Sequence, residues 1–420
     1  MASHAFSLGG GTAIGQLALI AASPILTRLF SQEEFGAFGL FSSFLAVAAV
    51  VACLRLDMAI VSARTERQAA ALLMQCVFLI PVVAMLSGVS IRVMQRNEWL
   101  AFETLPALAA PTMVIAVVVT GLFGALRFWN AREMQFRQIG QAVLRQSLGR
   151  AGAPMALGLA GAGWDGLVGG EIIGRSLGIL HLGRPAVRKC SRLLVRCGGR
   201  YHRLVALRNW KFPSILMPSS LLDAVAGSLP LPLIAASFGP AAAGSYALIT
   251  RLASVPGALI AASLADVFQS HLARDLFTDG NSARRQVIKT ARMLLLVALA
   301  IFVPAALLGP TLIPLIFGSG WREAGIFLAI LAPNLAVALV VSPLSRAIVV
   351  ANRQELKLII DCALLLAPIL TLYVLRDHGL HYALVAFSIV NVAVYAVYFF
   401  LILYAIGHPA RILHQGTESD

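Results

Sequence analysis

The sequence predicts an all-α membrane protein with about twelve transmembrane helices, arranged as two six-helix lobes around a central cavity. Of its 420 residues, 59% are hydrophobic and only 12% are charged, more apolar content than a soluble fold needs. The apolar residues gather into long stretches separated by short polar gaps. Because about 20 apolar residues cover the hydrocarbon core and a helix satisfies its own backbone hydrogen bonds, each stretch predicts a spanning helix.

The first span begins close to the N-terminus and is predicted to be retained. Residues 1–7 lack the Lys or Arg that a cleavable signal requires, and the run from Leu8 to Leu26 is long enough to span. The fifth and sixth spans are short and rich in glycine. The predicted spans cover residues 7–27, 36–61, 69–91, 105–126, 146–162, 166–182, 212–236, 241–264, 292–317, 324–350, 356–375 and 379–405.

The charged residues predict the orientation of these spans. One alternate set of gaps holds 24 Lys and Arg, with five Arg between Arg127 and Arg150, whereas the opposite set holds five. Cytoplasmic loops carry the excess of basic residues, so both termini are predicted to be cytoplasmic. The net charge of +14 therefore reflects membrane topology, and nucleic acid is excluded as a partner because the spans leave no basic domain outside them.

The long inner gap from Arg184 to Lys211 mixes nine basic residues with leucine and valine. Two interpretations stay open: a surface helix that contacts anionic lipid headgroups, or ordinary positive-inside charge. We place the division between the lobes in this gap, so that residues 1–205 form the N-terminal lobe with its basic linker and residues 206–420 the C-terminal lobe.

A duplicated pattern supports two related halves. Five pairs of residues match at an offset of 208 where one span ends, the chain turns and the next span begins. They are Pro24 and Pro232, Phe30 and Phe238, Gly36 and Gly244, Phe38 and Tyr246, and Leu40 and Leu248. Transporters built from repeats commonly place the substrate between the halves.

Charged residues within the spans are the candidate functional residues, since each costs about 2.5–3.5 kcal/mol at mid-bilayer on insertion scales. Asp223 and Arg251 fall near the middle of two adjacent spans and are predicted either to face a wet cavity or to form a salt bridge with each other. Arg55 and Asp57, two residues apart, point to different helix faces. Arg346 lies near the inner end of the tenth span.

The sixth predicted span carries a packing pattern and an ion pair. Glu171 and Arg175 are four residues apart with the acid first, which favours an ion pair along one helix. Small residues at intervals of four let a neighbouring helix approach closely. The stripe predicted to pack in this way consists of Gly166, Gly170, Gly174 and Gly178.

Neither a metal nor a cofactor is predicted. The five cysteines fit no zinc module, although Cys190 and Cys197 have His202 nearby. The longest outer gap, from Arg92 to Thr104, contains no His and no Ser/His/Asp grouping, so the chain is not predicted to be an enzyme.

Several ordered segments resemble bacterial O-antigen and polysaccharide flippases. The first of them ends a helix in a Pro-x-x-x-Arg-Leu-aromatic turn and enters the next helix through an acidic Phe-Gly motif. The segments are GGGTAIGQLALIAASPILTRLFSQEEFGAFGLF (Gly9 to Phe41), LRLDMAIVSA (Leu54 to Ala63), NAREMQFRQIGQAVLRQSLG (Asn130 to Gly149) and WKFPSILMPSSLLDAVAGSLPLPLIAASFGPAAAGSYALITRLASVPGALI (Trp210 to Ile260). Together they cover about the first 275 residues. One departure is Asp57, where members of that family often carry Glu.

The resemblance implies a member of the multidrug/oligosaccharidyl-lipid/polysaccharide exporter superfamily. Its cargo would be an undecaprenyl-diphosphate-linked oligosaccharide, moved from the cytoplasmic to the periplasmic leaflet for O-antigen or exopolysaccharide synthesis. Membrane lipids, a polysaccharide polymerase and chain-length proteins would be its partners, and the expected state is a monomer. We expect Arg251, Arg55 and Arg346 to contact the head group, Arg28 to lie at the outer mouth, and Asp223 and Asp57 to couple ions or position an arginine.

Three other functions stay open from the sequence. A drug or cation antiporter of the same fold would favour carboxylates over arginines inside the membrane, whereas this chain has both. A membrane-bound glycan polymerase or ligase needs an outward-facing reactive site, against which the short outer gaps count. A scaffold without transport would not need charged residues at mid-membrane.

Overall fold

A computed structural model describes residues 2–194, 199–257, 280–345, 347–348, 351 and 353–407. Within these ranges the regular secondary structure is entirely helical, which confirms the predicted all-α class. The helices are α1 (Ala2–Leu29), α2 (Gln32–Val51), α3 (Leu56–Ser62), α4 (Glu66–Arg96), α5 (Ala109–Arg132), α6 (Phe136–Leu159), α7 (Gly163–Leu194), α8 (Gly199–Arg208), α9 (Met217–Ser228), α10 (Pro230–Phe238), α11 (240–257), α12 (Gly280–Phe317), α13 (Arg322–Leu344), α14 (Gln354–Val374) and α15 (Leu380–Gly407).

The helices are long enough to account for the predicted spans. Among the described residues, nine helical segments have the length and the apolar composition to cross a membrane. The predicted fifth and sixth spans correspond to α6 and α7, which have 24 and 32 residues and are not among those nine. The predicted eighth span corresponds to α11 and continues beyond the described residues.

The predicted second span, residues 36–61, is broken rather than continuous. Helix α2 ends at Val51, and α3 begins at Leu56 after a tight turn. Leu54 and Arg55 adopt left-handed backbone conformations, with φ of 48° and 59°. This conformation costs an ordinary residue about 1–2 kcal/mol, so the surrounding helices must hold the turn in place.

The contacts divide the chain into two compact units. One comprises Met1–Val255 together with Thr311–Gly325, and the other comprises Pro256–Pro310 together with Ile326–Asp420. The first unit contains α1 to α10 and nearly all of the described part of α11. Along the chain this division falls after residue 255, whereas the lobes are predicted to divide after residue 205.

The two copies of the duplicated pattern contact each other inside the first unit. Gly36 of α2 faces the backbone carbonyl of Pro240, and Gly244 of α11 faces the backbone carbonyl of Gln32. Pro240 and Gln32 are themselves 208 residues apart, so the two contacts are equivalent by the repeat. A Cβ atom at either glycine would collide with the carbonyl, and the absence of a side chain lets α2 and α11 cross closely.

A network of polar contacts ties together one end of this unit. The ammonium group of Lys189 on α7 donates to Glu66 on α4 at 2.8 Å and to Glu133, just after α5, at 2.9 Å. Arg132 donates to the carbonyls of Ile60 and Ala63 at the end of α3. The hydrogen bonds to Glu133 and Glu66 raise the pKa of Lys189 above its ordinary value of 10.5.

This raised pKa predicts a stability difference that depends on alkaline pH. A group whose pKa is raised by folding stabilises the protein below its ordinary pKa, and the effect is lost as the pH rises through the raised value. The difference in melting temperature between the native chain and Lys189→Met should therefore stay constant up to about pH 10.5 and shrink above it. Lys211→Met, which removes a lysine from an exposed position, is the control for the loss of a lysine charge alone.

Candidate functional site

The first compact unit contains a cavity of about 490 Å³. This volume falls within the range of about 300–1,000 Å³ typical of ligand pockets. Its walls come from α1, α2, α6, α7 and α9 to α11. The lining combines apolar side chains with hydroxyl groups and four charged residues, Arg150, Glu171, Arg175 and Arg251.

Three of the charged residues form one cluster across α6 and α7. Glu171 is buried, and each of its carboxylate oxygens accepts a hydrogen bond from a different arginine. Arg150 Nε donates to Oε2 at 2.8 Å, and Arg175 Nε donates to Oε1 at 2.7 Å. Arg175 Nη1 also donates to Thr120 Oγ1 of α5 at 3.0 Å. The ion pair predicted between Glu171 and Arg175 is therefore present, and Arg150 completes it from a second helix.

The geometry of the cluster leaves donors available to a ligand. Both arginines bind Glu171 through Nε, so neither Nη group of Arg150 is used by the carboxylate. A guanidinium group has five N–H donors, and its terminal pair matches carboxylate or phosphate oxygens. Three cations and one anion give the cavity wall a net charge of +2, which favours an anionic ligand.

Arg251 lines the cavity from α11. Its guanidinium group makes no hydrogen bond or ion pair with the described residues, although it experiences the charges of Arg150 and Glu171. A salt bridge with Asp223, one of the two predicted alternatives, is not formed. Arg251 instead faces the cavity, where its charge has no anionic partner of its own among the described residues.

Hydroxyl groups surround these charges at positions related by the repeat. Ser42 of α2 corresponds to Thr250 of α11 at the offset of 208, and Ser43 corresponds to Arg251. All four residues line the cavity. The two crossing helices thus present equivalent faces to the cavity. The two halves differ at one of these pairs, where α2 has the hydroxyl group of Ser43 and α11 has the cation of Arg251.

The structure places Asp223 and Arg28 away from this lining. Asp223 is exposed on α9, one helical turn before Gly227, which does line the cavity. Residues four apart share a helix face, so Asp223 lies on the same side of α9 as Gly227. Arg28 is exposed at the end of α1, where Nη2 donates to the carbonyl of Ile316 at 3.5 Å.

Arg55 and Asp57 form a separate site, at the turn between α2 and α3. Within the described part of the chain, Arg55 Nε and Asp57 Oδ1 are buried without a hydrogen-bond partner. The left-handed turn at Arg55 directs α3 away from the axis that a continuous second span would follow. Arg346 and Cys197, together with the side chain of Cys190, lie outside the described residues.

Arg150 belongs to the site but is not predicted from the sequence. Its position along the chain places it among the basic residues of an inner gap, whereas α6 carries it into the cavity. Gly149 precedes Arg150 and lies against Gly174 of α7, with 2.8 Å between the Gly174 Cα and a Cβ built on Gly149. Gly149 on α6 and Gly174 on α7 are the sequence feature that could have indicated close packing of the two helices beside Arg150.

The glycine stripe of α7 lies against α6 and α5. A Cβ atom at Gly174 would come within 2.6 Å of Arg150 Cγ, and one at Gly178 within 2.6 Å of Phe123 Cε2. Gly170 faces the ring of Pro154, and a Cβ atom at Gly166 would lie 3.2 Å from Ala162 Cβ. Because α6 and α7 pack closely at Gly174, the position of Arg150 along the helix axes is fixed relative to Glu171.

Gly174→Ala should therefore destabilise the protein by about 1–3 kcal/mol, since overpacking forces the backbone or Arg150 to move. Gly169→Ala is a matched control in the same helix, because the nearest atom to its new methyl group is Leu157 Cδ1 at 3.6 Å. The control should be neutral or more stable, because alanine favours helix by about 1 kcal/mol over glycine. Thermal unfolding in detergent measures both, and equal melting temperatures would contradict the packing argument.

The sequence matches the model of one known protein family. The model of a family described as "Polysaccharide biosynthesis protein" matches residues 25–325, well over half of the chain. The chain belongs to the polysaccharide biosynthesis protein family. The match includes all the charged residues of the cavity and ends within α13. No curated protein matches the chain in sequence.

Solved structures with the same fold are membrane transporters and flippases. The lipid II flippase MurJ, in an inward closed conformation, has a TM-score of 0.71 and 12% identity over 96% of this chain and 87% of that one. An inward-facing multidrug resistance MATE family transporter of the MOP superfamily has a TM-score of 0.65 and 14% identity over 93% and 94%. A mutant form of the MATE transporter VcmN of Vibrio cholerae has a TM-score of 0.56 and 16% identity over 97% and 96%. These likenesses show that the chain shares its fold with these transporters and with the MurJ flippase.

Proposed function

We propose that this protein is a flippase that moves an undecaprenyl-diphosphate-linked oligosaccharide from the cytoplasmic to the periplasmic leaflet by alternating access. The observation that carries the proposal is the cavity with a net charge of +2, in which Arg251 has no anionic partner among the described residues. A diphosphate head group is too polar to cross hydrocarbon unaided, and it supplies the anion that this cavity lacks. The family assignment and the fold shared with the lipid II flippase MurJ support the same cargo class.

The cavity residues suggest how the head group is held. Arg251 binds one phosphate from α11, while the free Nη groups of Arg150 bind from α6. Planar guanidinium groups bind phosphate oxygens in pairs, which fixes the orientation of the head group as well as its position. Hydroxyl groups of Ser42, Ser43 and Thr250 are suited to hydrogen bonds with the first sugars.

The other predicted residues keep their proposed roles on the path to and from this cavity. Arg28 contacts the head group at the outer mouth, and Asp223, one turn from the cavity lining, couples ions or positions an arginine. Arg55 and Asp57 act at the turn after α2, where Arg55 Nε and Asp57 Oδ1 are buried without a hydrogen-bond partner within the described residues. Arg346 is proposed as a further head-group contact.

A drug or cation antiporter is the second candidate, because transporters of the multidrug resistance MATE family share the fold. A cationic cargo needs a carboxylate that can approach it. Within the described lining the one carboxylate is Glu171, which two arginines already hold. The charge balance of the cavity therefore favours the anionic cargo. A catalytic role as a glycan polymerase or ligase has no comparable support, since the matched structures are those of transporters and flippases.

The proposed cellular setting follows from this cargo. The protein acts as a monomer in the bacterial inner membrane with both termini in the cytoplasm, and it delivers repeat units to a polysaccharide polymerase and its chain-length partners. Rocking of one six-helix lobe against the other would expose the cavity to each leaflet in turn. No cofactor is needed for this cycle.

A deletion strain tests the function. Without the gene, surface glycan should disappear and lipid-linked repeat units should accumulate in the cytoplasmic leaflet. The native gene should restore export, whereas Arg251→Ala and Asp223→Ala should not. Normal glycan export in the deletion strain would overturn the proposed function, while normal export with Arg251→Ala alone would overturn only the assignment of the site. Unchanged drug susceptibility in the deletion strain would argue against the antiporter.

A further inference from the structure

The short helix α8 exposes apolar and basic side chains that the proposed transport cycle does not use. Leu204 is 64% exposed and Leu207 is 60% exposed, and Trp210, just beyond the helix, is 53% exposed. Residues 199–211 also contain Arg200, Arg203, Arg208 and Lys211 and no Asp or Glu. Such a mixture of large apolar residues and uncompensated positive charge is costly on a surface that faces only water.

One face of α8 is fixed against the rest of the first unit. Val205 is buried, and Gln75 Nε2 of α4 donates to the carbonyl of His202 at 2.8 Å. At about 100° per residue, Leu207 lies roughly 200° around the helix from Val205. The exposed leucines therefore lie on the outward side of a helix that is held in place, and their exposure is a property of the packed fold.

The neighbouring segments place α8 at the surface of the bilayer. Helix α7 precedes it, and the apolar segment Phe212–Phe238, which is long enough to span, follows it. The hydrogen bond from Gln75 attaches α8 to the first third of the 31-residue helix α4, the part nearer to the end that carries the Lys189 network. A helix between two spans, at a charged end of the unit, lies where headgroups meet water.

We propose that α8, together with Trp210 and Lys211, binds the headgroups of anionic phospholipids in the leaflet next to it. The leucines enter the boundary between headgroups and acyl chains, Trp210 lies at the level of the headgroups, and the basic residues contact lipid phosphates. The membrane is the fitting occupant because the basic and apolar residues alternate along the exposed side, whereas the core of a protein–protein interface is depleted in charge. This contact is independent of the cargo bound in the cavity.

Trp210 offers a direct probe of this contact. The chain has five tryptophans, of which Trp129, Trp164 and Trp321 are buried, and Trp99 and Trp210 are exposed. In the full-length variant Trp99→Phe, bromine-labelled lipids should therefore quench mainly Trp210. Nanodiscs containing brominated phosphatidylglycerol in a phosphatidylcholine background, and the reverse, then compare the two headgroups at equal mole fraction.

We expect brominated phosphatidylglycerol to quench Trp210 at about one fifth of the concentration needed with brominated phosphatidylcholine. Arg200→Gln/Arg203→Gln/Arg208→Gln should remove this preference while quenching by phosphatidylcholine persists. The matched control Arg92→Gln/Arg96→Gln, which removes exposed charge at the far end of α4, should keep the preference.

Equal quenching by the two lipids in the Trp99→Phe chain would overturn the proposal, and this comparison requires no change in α8. Absence of quenching by either lipid would also overturn it, and would instead favour coverage of α8 by another protein. The quenching experiment needs neither cargo nor transport, so its outcome is separate from that of the deletion strain.

Discussion

Glu171→Gln is expected to destabilise the protein and abolish export. Glu171 is buried between Arg150 and Arg175, and its two oxygens accept hydrogen bonds from both at 2.8 and 2.7 Å. Removing one partner of a buried ion pair costs about 3–5 kcal/mol, because the remaining charge keeps its desolvation penalty. In this variant two guanidinium groups would lose their anion while facing a third, Arg251, in the same cavity.

The variant Glu171→Gln should therefore melt at a clearly lower temperature in lipid nanodiscs than the native chain. Asp165→Asn is the matched control, since it removes one negative charge from an exposed position on the same helix. Its effect should stay within about 0.5 kcal/mol. A melting temperature for Glu171→Gln equal to that of Asp165→Asn would contradict the role of Glu171 as the anion that holds the arginines.

A second variant separates charge balance from the loss of a hydrogen bond. Glu171→Gln/Arg150→Gln removes one anion and one cation, and the new amide oxygen can still accept from Arg175. The double variant should be more stable than Glu171→Gln alone, because fewer unpaired cations remain in the cavity. Residues in one ion-pair network commonly show coupling of about 0.5–3 kcal/mol. Additive effects of the two substitutions would mean that Arg150 and Glu171 do not stabilise each other.

The sequence predicted the helices and two of the three residues of this cluster for a simple physical reason. Apolar length decides whether a segment spans a bilayer, and length is visible in the sequence. The ion pair between Glu171 and Arg175 is also local, because residues four apart lie on one helix face. Arg150 joins the pair from another helix, 21 residues earlier, and that contact depends on how closely α6 and α7 pack.

The broken second span shows what sequence patterns leave out. The predicted second span places Arg55 and Asp57 on one continuous helix, yet the chain turns through Leu54 and Arg55 in left-handed conformations. The local sequence, VACLRLDM, contains no Gly, Pro or Asn that would indicate a turn. The surrounding helices impose this turn, so a local pattern could not place the two residues.

Arg251→Lys is expected to weaken ligand binding while leaving stability unchanged, the opposite of Glu171→Gln. The Arg251 guanidinium group makes no hydrogen bond or ion pair with the described residues, so its removal leaves no buried anion without a partner. Lysine keeps the positive charge but cannot form two parallel hydrogen bonds to a phosphate. Since a hydrogen bond to a charged group contributes about 1.5–3 kcal/mol, we expect affinity for undecaprenyl diphosphate to fall about tenfold or more.

Binding of undecaprenyl diphosphate and undecaprenyl phosphate to the protein in nanodiscs measures this effect. Arg251→Ala should lose more affinity than Arg251→Lys, and both should lose more for the diphosphate than for the monophosphate. The exposed Arg92→Lys is the control and should bind as the native chain does. Native affinity in Arg251→Ala with a native melting temperature would remove Arg251 from the site, and the anion would then have to be held by Arg150 and Arg175 alone. If all variants instead bound the two lipids equally well, the cavity would recognise the polyprenyl chain rather than the charge of the head group.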